Sequence, residues 1–226
     1  MESLLSDWLS RYGVTISKRQ FEQFAFFKTQ ILSWNTKMNL TAITEEPDFT
    51  VKHFIDSLTV LPFLPLNANV LDLGTGAGFP GIPIRIMRPD ISLTLLDSLR
   101  KRVFFLLETI TLLGLDRVDC IHARAEEYAA PSRHANSSKI LSLFDICTAR
   151  AVAKLDKLAV YAMPLLKHGG LLLAMKGPNV NEEITESMPA IKKCGGTLID
   201  VASYEIAQGI VHTIVVIKKN TVTPAF

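Results

Sequence analysis

An apolar strand that runs straight into a glycine turn constrains this chain more than any other feature. Val70-Leu71-Asp72-Leu73 leads into Gly74-Thr75-Gly76-Ala77-Gly78-Phe79-Pro80-Gly81. Glycine accepts positive φ in a tight turn, and without a Cβ it lets a ligand approach the backbone closely. A strand, such a turn and a helix make the opening unit of a doubly wound α/β sheet around a nucleotide-type ligand. A turn that merely joins strand to helix accounts for one or two glycines, but not for four with an aspartate beside them.

The rest of the chain fits that frame. Residues 1–66 read as helical: Ser17 and Gln20 form a capping box ahead of Phe21, Phe24, Phe27 and Ile31, which share one helix face. Gly13 ends a first short helix, and Pro47-Asp48 opens a third that carries Phe54, Leu58 and Leu61 toward Pro62. Beyond Asn67 the pattern changes to short apolar runs alternating with helices, with strands expected at 70–73, 92–96, 118–121, 144–148 and 171–175. Such alternation builds a parallel sheet covered on both faces. Two further strands, 197–204 and 213–218, have only a short Gln208-Gly209 connection. That is too short for a crossover helix, so they pair as an antiparallel hairpin. The expected organisation is an N-terminal helical segment, 1–66, before one α/β domain, 67–226, and the polar run 132–139 reads as a surface loop.

Gly76, Gly78 and Gly81 also spell the G-x-G-x-x-G of dinucleotide-binding folds, so the charge of the loop has to decide which ligand it takes. A dinucleotide brings a pyrophosphate to the helix N-terminus, and Asp72 would repel it. S-adenosylmethionine brings a sulfonium and an ammonium, for which Asp72 is an attractive partner. Pro80 and Pro83 each remove a backbone donor where a pyrophosphate needs one. S-adenosylmethionine is therefore the expected cofactor. The fold class that goes with it is Rossmann-like α/β of the class I methyltransferases: a seven-stranded, mostly parallel sheet with a C-terminal antiparallel hairpin.

Asp97 ends the second strand about 20 residues after the glycine turn, where a carboxylate accepts hydrogen bonds from both hydroxyls of a cofactor ribose. It would otherwise cap the next helix, a role Ser98 can fill. Ala125 and Glu126 follow the third strand, where this fold bends over an adenine; Glu126 either accepts from the adenine amino group or, like Glu127, faces solvent. Arg150, after the fourth strand, is the candidate at the reacting centre, because inner strands present substrates at their C-terminal edge. Lys176 ends the fifth strand on the same edge and is expected to offer its ammonium to a phosphate.

Charge and cysteine usage narrow the partners. The 24 Lys and Arg nearly balance 22 Asp and Glu, so a nucleic acid has to be met by a local patch. Arg100-Lys101-Arg102 opens a helix whose dipole already disfavours cations, so the cluster serves either an anionic partner or solvent. Cys120, Cys147 and Cys194 lack metal-ligand spacing and read as buried small hydrophobes, so no metal is expected. The N-terminus has no basic n-region, and no apolar run approaches the ~18 residues of a membrane span. A cytoplasmic protein with no membrane partner is expected.

Together these residues resemble one family, the bacterial small-subunit ribosomal RNA methyltransferases known as RsmG or GidB. The resemblance runs over nearly the whole chain, through Asn39-Leu40-Thr41-Ala42-Ile43, His53-Phe54-Ile55-Asp56-Ser57-Leu58, Asp72 to Pro83, Asp97-Ser98 with Lys101-Arg102, Arg150-Ala151-Val152-Ala153 and Lys176-Gly177. It implies methyl transfer from S-adenosylmethionine to N7 of a guanine in 16S ribosomal RNA, free or within a small ribosomal subunit particle; separately, a monomer is expected. By the same resemblance Gly74 and Phe79 hold the cofactor in the loop, Ala125 and Glu126 at the adenine, and Arg150 beside the reaction. Asp72, Gly76 and Asp97 join them on the arguments above. Candidates for the RNA surface are Lys37, Lys52, His53, Arg85, Arg100, Lys101, Arg102, Arg124, Arg150 and Lys176. Two positions depart from the family pattern: Ala149 stands where serine is usual, and His212 where arginine is usual. Rival readings are a methyltransferase for a small molecule or protein, an NAD-dependent oxidoreductase, and a binding module without turnover.

Overall fold

The computed structural model describes residues 1–129 and 143–220, so the polar run 132–139 lies outside the described residues. Helix α1 (Glu2–Ser10) ends in a turn where Val14 N–H bonds the Leu9 carbonyl and Gly13 takes φ +68°. Helix α2 (Lys18–Asn35) starts on the Ser17–Gln20 capping box and buries Phe24, Phe27 and Ile31. The third helical stretch is not a plain α-helix. Thr50–Ile55 is a wide π-turn that passes into α3 (Asp56–Leu58), and Leu61–Phe63 closes it as a 3-10 turn. Such π segments are rare and concentrate at functional sites.

From there the chain alternates β1 (Asn69–Leu73), α4 (Gly81–Met87), β2 (Ser92–Asp97), α5 (Arg100–Leu112), β3 (Val118–His122), α6 (Ala125–Tyr128), β4 (Phe144–Arg150), α7 (Leu155–Ala162), β5 (Leu166–Lys176), α8 (Asn181–Lys193), β6 (Gly196–Ala207) and β7 (Ile210–Lys219). The sheet order is β3-β2-β1-β4-β5-β7-β6. β7 runs antiparallel to β5 and β6, and the other pairs are parallel. The Gln208-Gly209 turn joins β6 to β7, as its length required.

β5 is longer than its apolar run. Its first half crosses His168-Gly169-Gly170, which reads locally as a turn, and the pairing with β4 shifts register between Phe144 and Ile146. A Cβ on Gly170 would lie 3.0 Å from the Asp145 carbonyl oxygen and 3.2 Å from that of Phe144, both on β4, so the strands approach there only because that residue has no side chain.

Two apolar layers cover the sheet. Phe24, Phe27, Ile31 and Phe54 from the N-terminal helices join Val70, Ile82, Leu95 and Phe105 in one buried cluster, so that segment packs into the same core as the sheet. Leu155, Leu158, Met163, Ile184 and Ile191 fill the other. Strand order reverses beside β1, whose neighbours β2 and β4 lead off in opposite directions. A crevice outside the strand C-termini at such a switch point is where this architecture takes ligands.

Candidate active site

At the end of β1 the chain turns back on β2. Gly74 and Thr75 both donate their backbone N–H to the Leu96 carbonyl, at 2.8 and 3.0 Å. Gly74 has φ +70°, and a Cβ there would stand 2.7 Å from a Val152 methyl, so glycine is required twice over. The loop then closes around Asp72. Its carboxylate accepts from Thr75 Oγ1 at 2.5 Å, Gly81 N–H at 2.9 Å and Thr148 Oγ1 at 3.0 Å. Gly81 has no room for a side chain, since its Cβ would meet Asp72 Oδ2 at 2.8 Å.

This geometry corrects the role expected of Asp72. The residue is fully buried, and burial pushes its carboxyl up to about 6 against the hydrogen bonds that favour the anion. It braces the loop from beneath and presents no face to a sulfonium. Sequence gives the charge at this position but not the side to which the carboxylate turns.

Asp97 does face the crevice. Oδ2 accepts from Gly76 N–H at 2.9 Å, Oδ1 accepts from Leu99 N–H at 2.8 Å, and Arg102 Nη1 lies 3.6 Å from Oδ2. A carboxylate offers about four lone-pair sites, so it retains acceptor capacity after these contacts. It lines a cavity of about 480 Å³ with Gly74, Ala125 and Glu126, a volume in the range of small-molecule sites. The donor set fits an adenosyl group: acceptors at Asp97 for a diol, a close backbone approach at Gly74, and Ala125 and Glu126 on the β3 side for a base.

The opposite wall was not foreseen. Ala151, Val152, Lys157 and Tyr161 complete the cavity. Ala151 holds φ +56°, a conformation a non-glycine residue adopts rarely and often at functional turns. Arg102 and Arg124, expected on an RNA surface, also line this cavity.

Phe79 and Arg150 do not form part of that wall. The Phe79 ring is buried against Phe27 and stacks on His53 at 4.7 Å. The Arg150 guanidinium sits 5.0 Å from the centre of the same Phe79 ring, and Nη1 donates to Asp56 Oδ2 at 2.9 Å and to the Lys52 carbonyl at 3.0 Å. His212 Nδ1 lies 2.7 Å from Asp56 Oδ1, so one buried carboxylate holds both an arginine and a histidine. The π-turn and the α3 start that follows it supply His53 and Asp56 to this cluster. His53 Nε2 pairs with Thr41 Oγ1 at 2.8 Å, and Ser57 Oγ donates to the His53 carbonyl at 2.5 Å. The Asn-Leu-Thr and His-x-x-Asp-Ser segments thus meet at one place beside the end of β4. Burial and the neighbouring Arg150 push His53 down to about 4, so it is neutral at physiological pH.

Three further expectations for RNA contacts are corrected by burial and pairing. Arg85 is only 3% exposed, ion-paired with Asp116 and donating through Nε to the Asp116 carbonyl at 3.2 Å. Lys176 donates to the Ala153 carbonyl and to Glu183, both at 2.8 Å, and so clamps β5 to the β4–α7 turn. The His53 ring is enclosed as described. Lys52 pairs with Asp48 at 2.6 Å near the surface, while Lys37, Arg100 and Lys101 sit together around Trp34 and Phe104. Burial disfavours the thiolate form of the cysteines, pushing Cys120 up to about 12 and Cys147 higher. Among the described residues no group of three His, Cys, Asp or Glu could hold a metal ion, and no helix is long and apolar enough to cross a membrane.

Sheet order, glycine turn and the Asp97 cavity define a Rossmann-like methyltransferase of class I. Solved structures share that fold: a SAM-dependent methyltransferase from Aquifex aeolicus superposes with TM-score 0.56 at 17% identity, over 84% of this chain and 98% of that one. TYW2 from M. jannaschii, solved in complex with AdoMet, gives TM-score 0.55 at 18% identity, over 79% of each chain. The chain belongs to the GidB family, rRNA small subunit methyltransferase G, whose model matches residues 20–211. A relative named ribosomal RNA small subunit methyltransferase G, from Clostridium kluyveri, is 44% identical over 93% of this chain and 87% of the relative. The protein of the same name from Desulforamulus reducens is also 44% identical, over 93% of this chain and 86% of its own length.

Proposed function

We propose that this protein transfers the methyl group of S-adenosylmethionine to N7 of a guanine in 16S ribosomal RNA. The observation that carries the reading is the Asp97 carboxylate facing a cavity at the sheet's switch point, in a chain whose relatives of near-equal length bear that name. Gly74, Asp97, Ala125 and Glu126 hold the cofactor, with Asp97 accepting from the ribose hydroxyls. When bound, S-adenosylmethionine supplies an electrophilic methyl carbon on a sulfonium.

Guanine N7 carries an in-plane lone pair and no proton, so the chain has no proton to remove before attack. The protein's task is placement: effective molarities from good alignment account for much of a barrier of this kind. The Asp72 brace fixes the loop, the Leu96 carbonyl fixes Gly74, and Asp56 fixes Arg150 at the end of β4. His53, neutral and enclosed, contributes shape beside that arginine and not charge. Arg150 therefore acts on a substrate as a positioned cation, and no residue is assigned as general acid or base.

The proposal extends to a monomer in the cytoplasm that acts on 16S RNA, free or in a small-subunit particle. Incubation with methyl-labelled cofactor and 16S RNA lacking the modification, both free and in small-subunit particles, tests it. Label recovered as 7-methylguanosine after nuclease digestion is expected; label that never enters RNA would overturn the proposal.

A further inference from the structure

Beside the cofactor cavity, on the other side of the same helix start, lies an aromatic surface that the methyl-transfer reading does not use. Trp34, Lys37 and Met38 from α2 and the residues after it meet Arg100, Lys101 and Phe104 of α5 around a cavity of about 610 Å³. Phe104 is 60% exposed. Exposing a phenyl ring in the first turns of a helix forfeits the burial that normally places such a residue inside. Its neighbour is rigid: Trp34 donates Nε1–H to Glu108 at 3.3 Å, lies edge-on to the buried Phe105 at 5.7 Å and is tilted 5.9 Å from Phe104. Lys37 covers a Trp34 face, with Nζ 5.2 Å from the ring. That leaves Phe104 as the open face.

The charge around it has one sign. Lys37, Arg100 and Lys101 line the cavity, and among the described residues Arg100 and Lys101 have no carboxylate partner. Glu108, one turn further along α5, is engaged by the indole. A helix N-terminus disfavours cations by a few tenths of a kcal/mol each, so local helix stability does not account for this pair. Arg102, one residue on, lies at Asp97 in the cofactor cavity, so the patch and the cofactor cavity are two faces of one helical turn.

We propose that this surface is a stacking platform for one unpaired RNA nucleotide flanking the target guanine. Its base lies on Phe104 against the Trp34 wall, and its phosphates meet Arg100, Lys101 and Lys37. Unstacked bases on aromatic rings beside cations are how proteins grip single-stranded RNA. A grip beside the cavity holds open the segment that presents N7. The inference rests on the RNA methyltransferase reading above.

The test measures binding of unmodified 16S RNA, free and in small-subunit particles, to wild type and to Phe104→Ala, Phe104→Leu and Phe104→Tyr, with calorimetry of S-adenosylmethionine alongside. Phe104 is at the surface, so each variant is expected to fold and to keep its cofactor affinity. Phe104→Ala and Phe104→Leu should weaken RNA binding about 5- to 100-fold, and Phe104→Tyr should restore it. Lys101→Gln should lower the slope of log affinity against log salt by about 0.7, while Phe104→Ala leaves the slope unchanged. Wild-type-like binding by Phe104→Ala or by Phe104→Leu overturns the platform while leaving methyl transfer standing. A loss confined to intact small-subunit particles, with free RNA unaffected, makes the face a protein contact and also overturns it. Failure of the wild type to bind or methylate RNA either free or in the particle removes both readings.

Discussion

Replacement of Asp72 by asparagine probes the brace of the glycine loop through its proton. The amide oxygen still accepts from Thr75 and Gly81, so the loop geometry survives while the charge is lost. In the folded protein burial raises this carboxyl from 3.8 to about 6. Between those values the native state holds a proton that the unfolded chain has released, so acidification stabilises the fold, and that contribution is lost as pH rises through about 6. At about 1.4 kcal/mol per pH unit, the interval corresponds to about 3 kcal/mol, of which roughly 2 lies between pH 7 and pH 4. His53 works in the opposite sense: its pKa is depressed from 6.5 to about 4, so stability falls as pH drops through that window. The two linkages offset one another in the wild type. Asp72→Asn removes only the first, leaving the variant more acid-sensitive. Urea unfolding followed by circular dichroism at pH 4, 5, 6 and 7, without cofactor, should give a wild-type advantage that grows by roughly 2 kcal/mol from pH 7 to pH 4. An advantage that stays constant or shrinks on acidification refutes the burial argument.

Two further substitutions follow from the packing. Gly81→Ala places a Cβ 2.5 Å from a Leu95 methyl and 2.8 Å from Asp72 Oδ2, and overpacking of this kind should cost about 1–3 kcal/mol in a denaturant titration and weaken cofactor binding with it. Arg85→Gln breaks a buried guanidinium's bond to Asp116, so the melting temperature should fall while the folded variant keeps wild-type RNA affinity in a filter-binding assay.

What the sequence revealed was local. The capping box at Ser17, the turn at Gly13, the Gln208-Gly209 hairpin and the glycine loop each involve residues a few positions apart, and their chemistry is the same wherever they are placed. The early part of β5 was hidden because Gly169 and Gly170 suit a turn equally well, and only the carbonyls of a neighbouring strand decide the matter. The π-turn at Thr50–Ile55 follows from packing His53 and Asp56 toward Phe79 and Arg150, and Arg150 lies 94 residues beyond Asp56. Pairing set by the packing of neighbouring elements also withdrew cations from the expected RNA surface. Arg85 and Lys176 look free in sequence, and only the fold brings Asp116 and Glu183 to them. For the site itself, Gly74, Asp97, Ala125 and Glu126, expected there from strand-end position and from the family resemblance, line one cavity. The far wall was not, because Lys157 and Tyr161 sit on α7 with no motif of their own.

The central claim is that the cavity beside Asp97 receives the methyl donor. Calorimetric titration of S-adenosylmethionine into wild type and into Asp97→Ala tests it most directly. Binding by the wild type, a loss of at least about tenfold in the variant, corresponding to about 1.4 kcal/mol, and no heat from NAD is the predicted result. Undiminished binding by Asp97→Ala, or NAD binding in place of S-adenosylmethionine, would contradict the account.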